Sequence, residues 1–543
     1  MSPVVPRRRW ARLRAAALAC VAVVVAATVT VAPAPAADTA GASRGGDWPS
    51  FQKDLAGSRY NGAERSITPH TVGGLRLKWS FAFPYVSGAV PQGQPAVVGG
   101  SVYVGGPDGR LYALDARGGR TLWTFSLASA APDAAKAVVR NSPVVSGGRI
   151  VFGDTQGRLY AVRRSTGELL WTTRLDSHPS AMLTGSPVVH RGKVFIGVSS
   201  GENVGGTDYA CCTFRGHIDA LDVTDGSLAW RHYTVPEPRP AGTWPSGAKR
   251  YEPSGGSVWS SPTVDPRTGT VYVGTGQNYT GTEGETDSVL ALDTGTGAVR
   301  WTRQMTHPDT WRLLCNQPNT PPEYCPGNAD GTALDYDLGA HPNLFTVDGR
   351  PLVGIGQKSG VYHVLDARTG EIVWQRRLSV PRPGDMGLSG IQWGAAYDGR
   401  RLYVATNRAE PGTLFALDPA SGELLWESPN PADGCTTGGA AAHPDVCFPA
   451  LVSAVSATPG LVYEGSTDGK VRAYRADNGK VVWQYDTLRD FDGVNGLPGR
   501  GGAVSGNGGG VVVADGTLFV RPGHWPVYPD SRERGLVLLA FGR

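Results

Sequence analysis

Apolar residues alternate with polar ones in short runs, and these runs recur in a fixed frame. Gly109-Arg-Leu-Tyr-Ala-Leu-Asp leads, fourteen residues on, to Trp123. The same interval joins Gly157 to Trp171, Gly216 to Trp230, Gly360 to Trp374, Gly412 to Trp426 and Gly469 to Trp483. Asp287 to Trp301 is a seventh copy, with Asp in the glycine place. Inside each copy an alternating run meets a turn ending in glycine (Gly119, Gly167, Gly226, Gly297, Gly370, Gly422, Gly479), then a short apolar run into Trp. A period of two with a turn that needs glycine predicts a β-hairpin. Another strand pair precedes each hairpin, such as Ser142-Pro-Val-Val with Arg149-Ile-Val-Phe. Four short strands per unit, repeated every 48 to 73 residues, predict an all-β fold, a β-propeller of four-stranded antiparallel blades.

The ends supply one more blade. Gly535-Leu-Val-Leu-Leu-Ala-Phe reads as a first hairpin strand without a second, and Leu75-Arg-Leu-Lys-Trp79 as a second without a first. Paired, they make an eighth blade that closes the ring and removes exposed sheet edges. The repeated Trp is expected to pack between blades and to have no chemical role.

Composition agrees. Gly is 75 of 543 residues and Pro 41, a poor mix for helices. Apolar residues are 40% and there are 15 Trp, enough to bury a large core and to exclude disorder. The net charge of +4 misleads, because five arginines and no acid lie in the first 36 residues and the remainder carries −1. No basic face for nucleic acid is visible. Arg7 to Arg14, the uncharged run Ala15 to Ala32 and Ala34-Pro35-Ala36 predict a cleaved export signal over 1–36, a linker over 37–46 and a propeller over 47–543. The mature protein is then expected outside the cytoplasm. Six later cysteines suit an oxidising compartment. They allow fifteen pairings, and proximity favours Cys211 with Cys212, Cys315 with Cys325 and Cys435 with Cys447. There is no Cys-x-x-Cys-His haem motif.

The first strand of each blade lines the channel of a propeller. With the strand proline as a ruler, the position three before it is Arg140, Thr184 and Trp259. One rung offers a guanidinium, a hydroxyl and a large flat ring, which suit a planar, carboxylated cofactor. Glu202, Gln277 and Asn278 are oxygen donors of the kind a hard cation takes.

Eight blades with Leu-Asp-x-x-x-Gly-x-x-x-Trp hairpins, and Asp47-Trp-Pro-Ser-Phe followed by Arg59-Tyr-Asn, resemble the quinoprotein alcohol dehydrogenases that bind pyrroloquinoline quinone (PQQ). Within that family the chain most resembles the polyvinyl-alcohol dehydrogenase branch. The likeness rests on Cys211-Cys-Thr-Phe-Arg-Gly216, Gly390-Ile-Gln-Trp-Gly394 and Arg489-Asp-Phe-Asp-Gly-Val-Asn-Gly496. The resemblance implies PQQ stacked on Trp259 and contacted by Arg140, Thr184, Ser200 and Lys358, with Trp393 and Asn495 as further contacts. It implies Ca²⁺ held by Glu202, by Gln277 or Asn278, and by Asp335, and a lid formed by a Cys211–Cys212 bridge. The family's base is an Asp directly after a Trp. Here Arg312 follows Trp311, and arginine is no base at neutral pH. Realignment across a 22-residue insertion, Arg312 to Ala333, places the base at Asp335, with Asp337 second and Asp309 third. The expected function is oxidation of an alcohol, polymeric in the polyvinyl-alcohol branch, with electrons passed to a separate acceptor such as a cytochrome. The rival reading is a non-catalytic propeller serving as a binding or envelope-assembly scaffold.

Overall fold

The computed structural model describes residues 46–87, 93–317, 319–325, 335–381, 390–407, 411–445, 447–504, 509–523 and 536–543. The expected export signal and the linker up to residue 45 lie outside these, as does Gly535. Among the described residues the strands form eight blades, seven of four strands and one of five, each an antiparallel meander. The first runs over 96–126, the second over 144–174, the third over 188–233, the fourth over 263–304, the fifth over 343–377, the sixth over 396–429 and the seventh over 456–486. The third carries the extra strand Ala181–Met182. Val512–Ala514, Thr517–Val520, Val537–Gly542 and Arg76–Ala82 make the eighth, so strands from both ends close the ring as expected. The described helical segments are short, and none is long and apolar enough to cross a membrane.

The Gly and Trp of the repeat serve one contact. Gly167 lies on the Trp of the preceding blade, where a Cβ would come 2.5 Å from Trp123 Cε3, and its φ of +74° is left-handed. Gly119 on Trp79 and Gly226 on Trp171 are placed alike. Six of the seven repeat Trp, all but Trp483, then donate their Nε1 proton to a carbonyl of the next blade, as Trp123 does to Arg164 (3.1 Å) and Trp374 to Pro419 (3.1 Å). The hairpin motif therefore carries both halves of the blade-to-blade joint, and the hydrophobic clusters between blades are buried around it.

Near the axis the inner segments are tied at one level. The residue before each strand proline bridges to its neighbour: Gln94 N–H donates to the Ser142 hydroxyl (3.0 Å), Ser142 N–H to Ser186 (3.1 Å) and Ser186 N–H to Ser261 (2.9 Å). Arg59 is fully buried and joins the first blade to the seventh through the Gln94 side chain (3.0 Å), the Val455 carbonyl (2.7 Å) and the Ser456 hydroxyl (2.8 Å). These bonds fix the relative height of the inner segments that carry Arg140, Thr184 and Trp259.

Candidate active site

Two residues above that serine ladder, Arg140, Thr184 and Trp259 line one cleft with Phe51, Gly339 and Trp393. Arg140 Nε donates to Thr184 Oγ1 (3.2 Å), and Thr184 meets the Ser199 hydroxyl at 2.8 Å. Burial without a paired carboxylate lowers the Arg140 pKa to about 10. Trp259 is held on several sides. Its Nε1 donates to Asp337 Oδ2 (3.2 Å), Trp393 meets it edge-on at 5.4 Å, and the Lys358 ammonium lies 5.1 Å from its centroid. A Cβ on Gly339 would fall 1.8 Å from Trp259 Cη2, so only glycine lets the backbone approach this ring.

Behind the ring lie buried carboxyls. Lys358 Nζ bridges Asp335 Oδ2 (2.8 Å) and Asp337 Oδ2 (2.7 Å). Asp337 Oδ1 accepts the Gln277 N–H (2.7 Å), and the Gln277 side chain lies against the same carboxylate. Burial, then the charge of Asp337, pushes Asp335 up to about 7, with Lys358 acting in the opposite direction. Asp309 accepts the Tyr336 N–H (2.8 Å) and is raised well above 3.8 by burial and by Asp335. Asp287, the Asp that replaces glycine in the repeat, is fully buried, and neither of its oxygens has a hydrogen-bond partner among the described residues. Burial and the charge of Asp309 raise it likewise. Four carboxyls and one ammonium therefore share a buried region, with the Asp335–Asp337 edge next to the aromatic platform.

Other expected site residues are engaged elsewhere. Glu202 accepts N–H bonds from Thr213 (2.9 Å) and Phe214 (2.8 Å), with His178 Nε2 at 3.4 Å. Those partners fix the loop that carries Cys211 and Cys212. The Ser200 hydroxyl accepts the Glu202 N–H (2.9 Å). Asn278 Oδ1 accepts the Thr286 hydroxyl (3.0 Å) and its Nδ2 donates to the Glu283 carbonyl (3.0 Å), so Gln277, not Asn278, turns toward the aspartates. The Asn495 side chain bonds the backbone of Ala82 at both of its ends (2.8 and 3.2 Å), which pins the last loop to the closing strand. Cys211–Cys212, Cys315–Cys325 and Cys435–Cys447 are the three bridges, in the expected pairing. Both cysteines of the adjacent pair are buried, and Trp244 Nε1 donates to the Cys211 carbonyl (3.2 Å).

These placements test what the site would accept. In the chemistry of its lining the cleft suits a flat carboxylated quinone: the Trp259 ring, the Arg140 guanidinium and the Thr184 hydroxyl converge there. Calcium fits less directly. The excess of carboxyls favours a cation, but among the described residues no three His, Cys, Asp or Glu side chains are grouped to hold one. Glu202 would first have to give up its N–H partners. Sequence reasoning passed over Asp287, whose exception to the glycine rule was the visible signal, and Gly339, for which there was none.

Residues 48–319 match the family described as glucose/ethanol/alcohol dehydrogenase, β-propeller domain. Residues 357–516 match the outer membrane protein assembly factor BamB family. The chain is 34% identical to a polyvinylalcohol dehydrogenase of Pseudomonas sp., over 91% of this chain and 76% of that one. It is 32% identical to a polyvinylalcohol dehydrogenase of Sphingopyxis sp. (strain 113P3), over 86% and 72%. Among solved structures, the quinohemoprotein alcohol dehydrogenase of Comamonas testosteroni superposes with a TM-score of 0.65 at 21% identity, covering 93% of this chain and 82% of that one. BamB from Moraxella catarrhalis superposes with a TM-score of 0.52 at 16% identity, covering 86% of this chain and 100% of that one. At such identities the superpositions speak for the propeller alone, whereas the sequence relatives decide the family. The chain belongs to the PQQ-type β-propeller alcohol dehydrogenases.

Proposed function

We propose that this protein is an exported PQQ-dependent alcohol dehydrogenase. Its substrate is an alcohol, polymeric as the names of its polyvinylalcohol dehydrogenase relatives indicate, and its electrons pass to a separate acceptor. The observation that carries the reading is the Trp259 platform edged by the Lys358-bridged Asp335–Asp337 pair. When bound, the quinone supplies the two-electron sink for the alcohol carbon. Trp259 gives that ring a flat face, Arg140 and Thr184 give it a cation and a hydroxyl, and Gly339 keeps the platform in place from behind. Asp335 takes the hydroxyl proton at a carboxylate oxygen. Its pKa of about 7 suits a group that must accept a proton near neutrality and release it again. Lys358 orients both carboxylates and limits how far burial raises Asp335. Calcium enters the proposal through charge: the carboxyl excess favours a divalent ion near Gln277 and Asp335, and no step is assigned to it.

A scaffold alone would gain nothing from four buried carboxyls held against a cleft with an open aromatic face, since each costs desolvation free energy. The test is to add PQQ, with and without Ca²⁺, to the purified full chain. Quenching of tryptophan fluorescence and alcohol-dependent dye reduction are expected. Absence of PQQ binding under both conditions would reject the enzyme and leave the scaffold.

A further inference from the structure

Arg312 opens the insertion, and its guanidinium has no ordinary explanation. The residue is 1% exposed, and Nε and both Nη atoms lack any hydrogen-bond partner among the described residues. A buried charged donor left unpaired is costly, so such groups are rare unless something else completes them. The side chain lies over the Trp244 ring, 4.8 Å from its centroid. Trp244 is itself fixed by its bond to the Cys211 carbonyl and by stacking on Tyr324 at 5.5 Å. The carboxylate nearest in effect is Glu202, whose oxygens already take N–H bonds, and burial still lowers the Arg312 pKa to about 10.

Its position ties it to the cleft. The Trp311 N–H donates to the Asn278 carbonyl (3.0 Å), and the Trp311 carbonyl lies 3.4 Å from the Gln277 side-chain amide. Gln277 in turn bonds Asp337, which holds Trp259. On the other side Glu202 follows Ser199 and Ser200, and Ser199 bonds Thr184 of the cleft. Lys358, the cation against the platform, already bridges two aspartates. A quinone bearing three carboxylates needs more positive charge than Arg140 alone provides.

We propose that Arg312 binds a carboxylate of the quinone cofactor, as a second guanidinium acting beside Arg140. The inference rests on the PQQ reading above. Without a hydrogen-bond partner among the described residues, the guanidinium turns from Trp244 to the incoming carboxylate. Its planar fork suits that group better than an ammonium would.

Binding of PQQ and of its trimethyl ester to the full chain, read by tryptophan quenching, tests this together with the melting temperature. Arg312→Gln is expected to bind PQQ roughly ten- to a hundred-fold more weakly than wild type. The ester, which lacks the charged carboxylates, should bind both proteins equally. Equal PQQ affinity in wild type and Arg312→Gln, or equal loss of PQQ and ester, would overturn the proposal. If Arg312→Gln does not fold, Arg312→Lys keeps the charge but loses the fork. Selective weakening for PQQ then supports the proposal and unchanged affinity overturns it. Failure of the wild type to bind PQQ at all rejects the underlying function instead.

Discussion

Asp335→Asn is expected to stabilise the protein at neutral pH while abolishing PQQ-dependent dye reduction. Asp335 rises from 3.8 to about 7 in the fold, through burial first and the Asp337 charge second. A carboxyl with a raised folded value contributes its full stability below its unfolded value, and loses it as pH rises through about 7. Roughly three units correspond to about 4 kcal/mol of cost at pH 8. The neutral amide has the same shape, and Lys358 keeps Asp337 at 2.7 Å, so the ammonium is not stranded. Allowing for the lost Lys358 contact, a gain of about 1–3 kcal/mol is expected near pH 8, shrinking to nothing near pH 4. Urea unfolding of both proteins at several pH values, followed by tryptophan fluorescence, measures it. A variant that is less stable by the same margin at pH 8 and pH 4 would refute the argument and make Asp335 a structural ion-pair member. Full activity in the variant would refute its role as the base.

Gly339→Ala should displace Trp259, because the new Cβ lies 1.8 Å from the ring; a loss of about 1–3 kcal/mol is expected, with PQQ binding weakened more than melting suggests. Unchanged PQQ affinity would mean the platform is not the binding face. His217 sits between Asp219 (2.8 Å) and Asp176 (3.1 Å), and although burial pulls its pKa down the two carboxylates raise it overall. Its contribution is present below about 6.5 and is lost as pH rises through its folded value, so His217→Gln should cost about 2 kcal/mol at pH 6 and less at pH 9. An equal cost at both would show that the proton is irrelevant. Replacing Cys315 and Cys325 by Ser frees a loop with a sequence separation of 10, worth about 2–3 kcal/mol by loop entropy. Limited proteolysis should cut between Cys315 and Cys325 first, and unchanged resistance would show that the bridge does not restrain this loop.

The ring was readable because its joint is written inside one hairpin: the turn glycine and the Trp that packs on the glycine of the next blade repeat at a fixed interval. The proline ruler also worked, since the serine ladder beside each proline sets a common height for Arg140, Thr184 and Trp259. The remaining site was harder to read because local bonding decides which oxygens stay available. Nothing in the sequence near Glu202 announces that Thr213 and Phe214 fold back to donate to it, or that Thr286 occupies the Asn278 oxygen. Gly339 is required by a ring from another blade, and that requirement exists only in three dimensions. That Arg312 finds no hydrogen-bond partner among the described residues is likewise a property of packing.

The closing pair, Arg76–Ala82 with Val537–Gly542, also has a consequence for how the chain reaches this state. The first of these strands is made long before its partner and has no sheet to join until that partner follows. Contacts at such sequence separation form late and slowly. Meanwhile the cleft residues come from successive blades whose relative angle is set by the completed circle. A nascent chain can therefore hold every one of those side chains without yet owning a cleft. Cofactor capture would then report that the circle has closed.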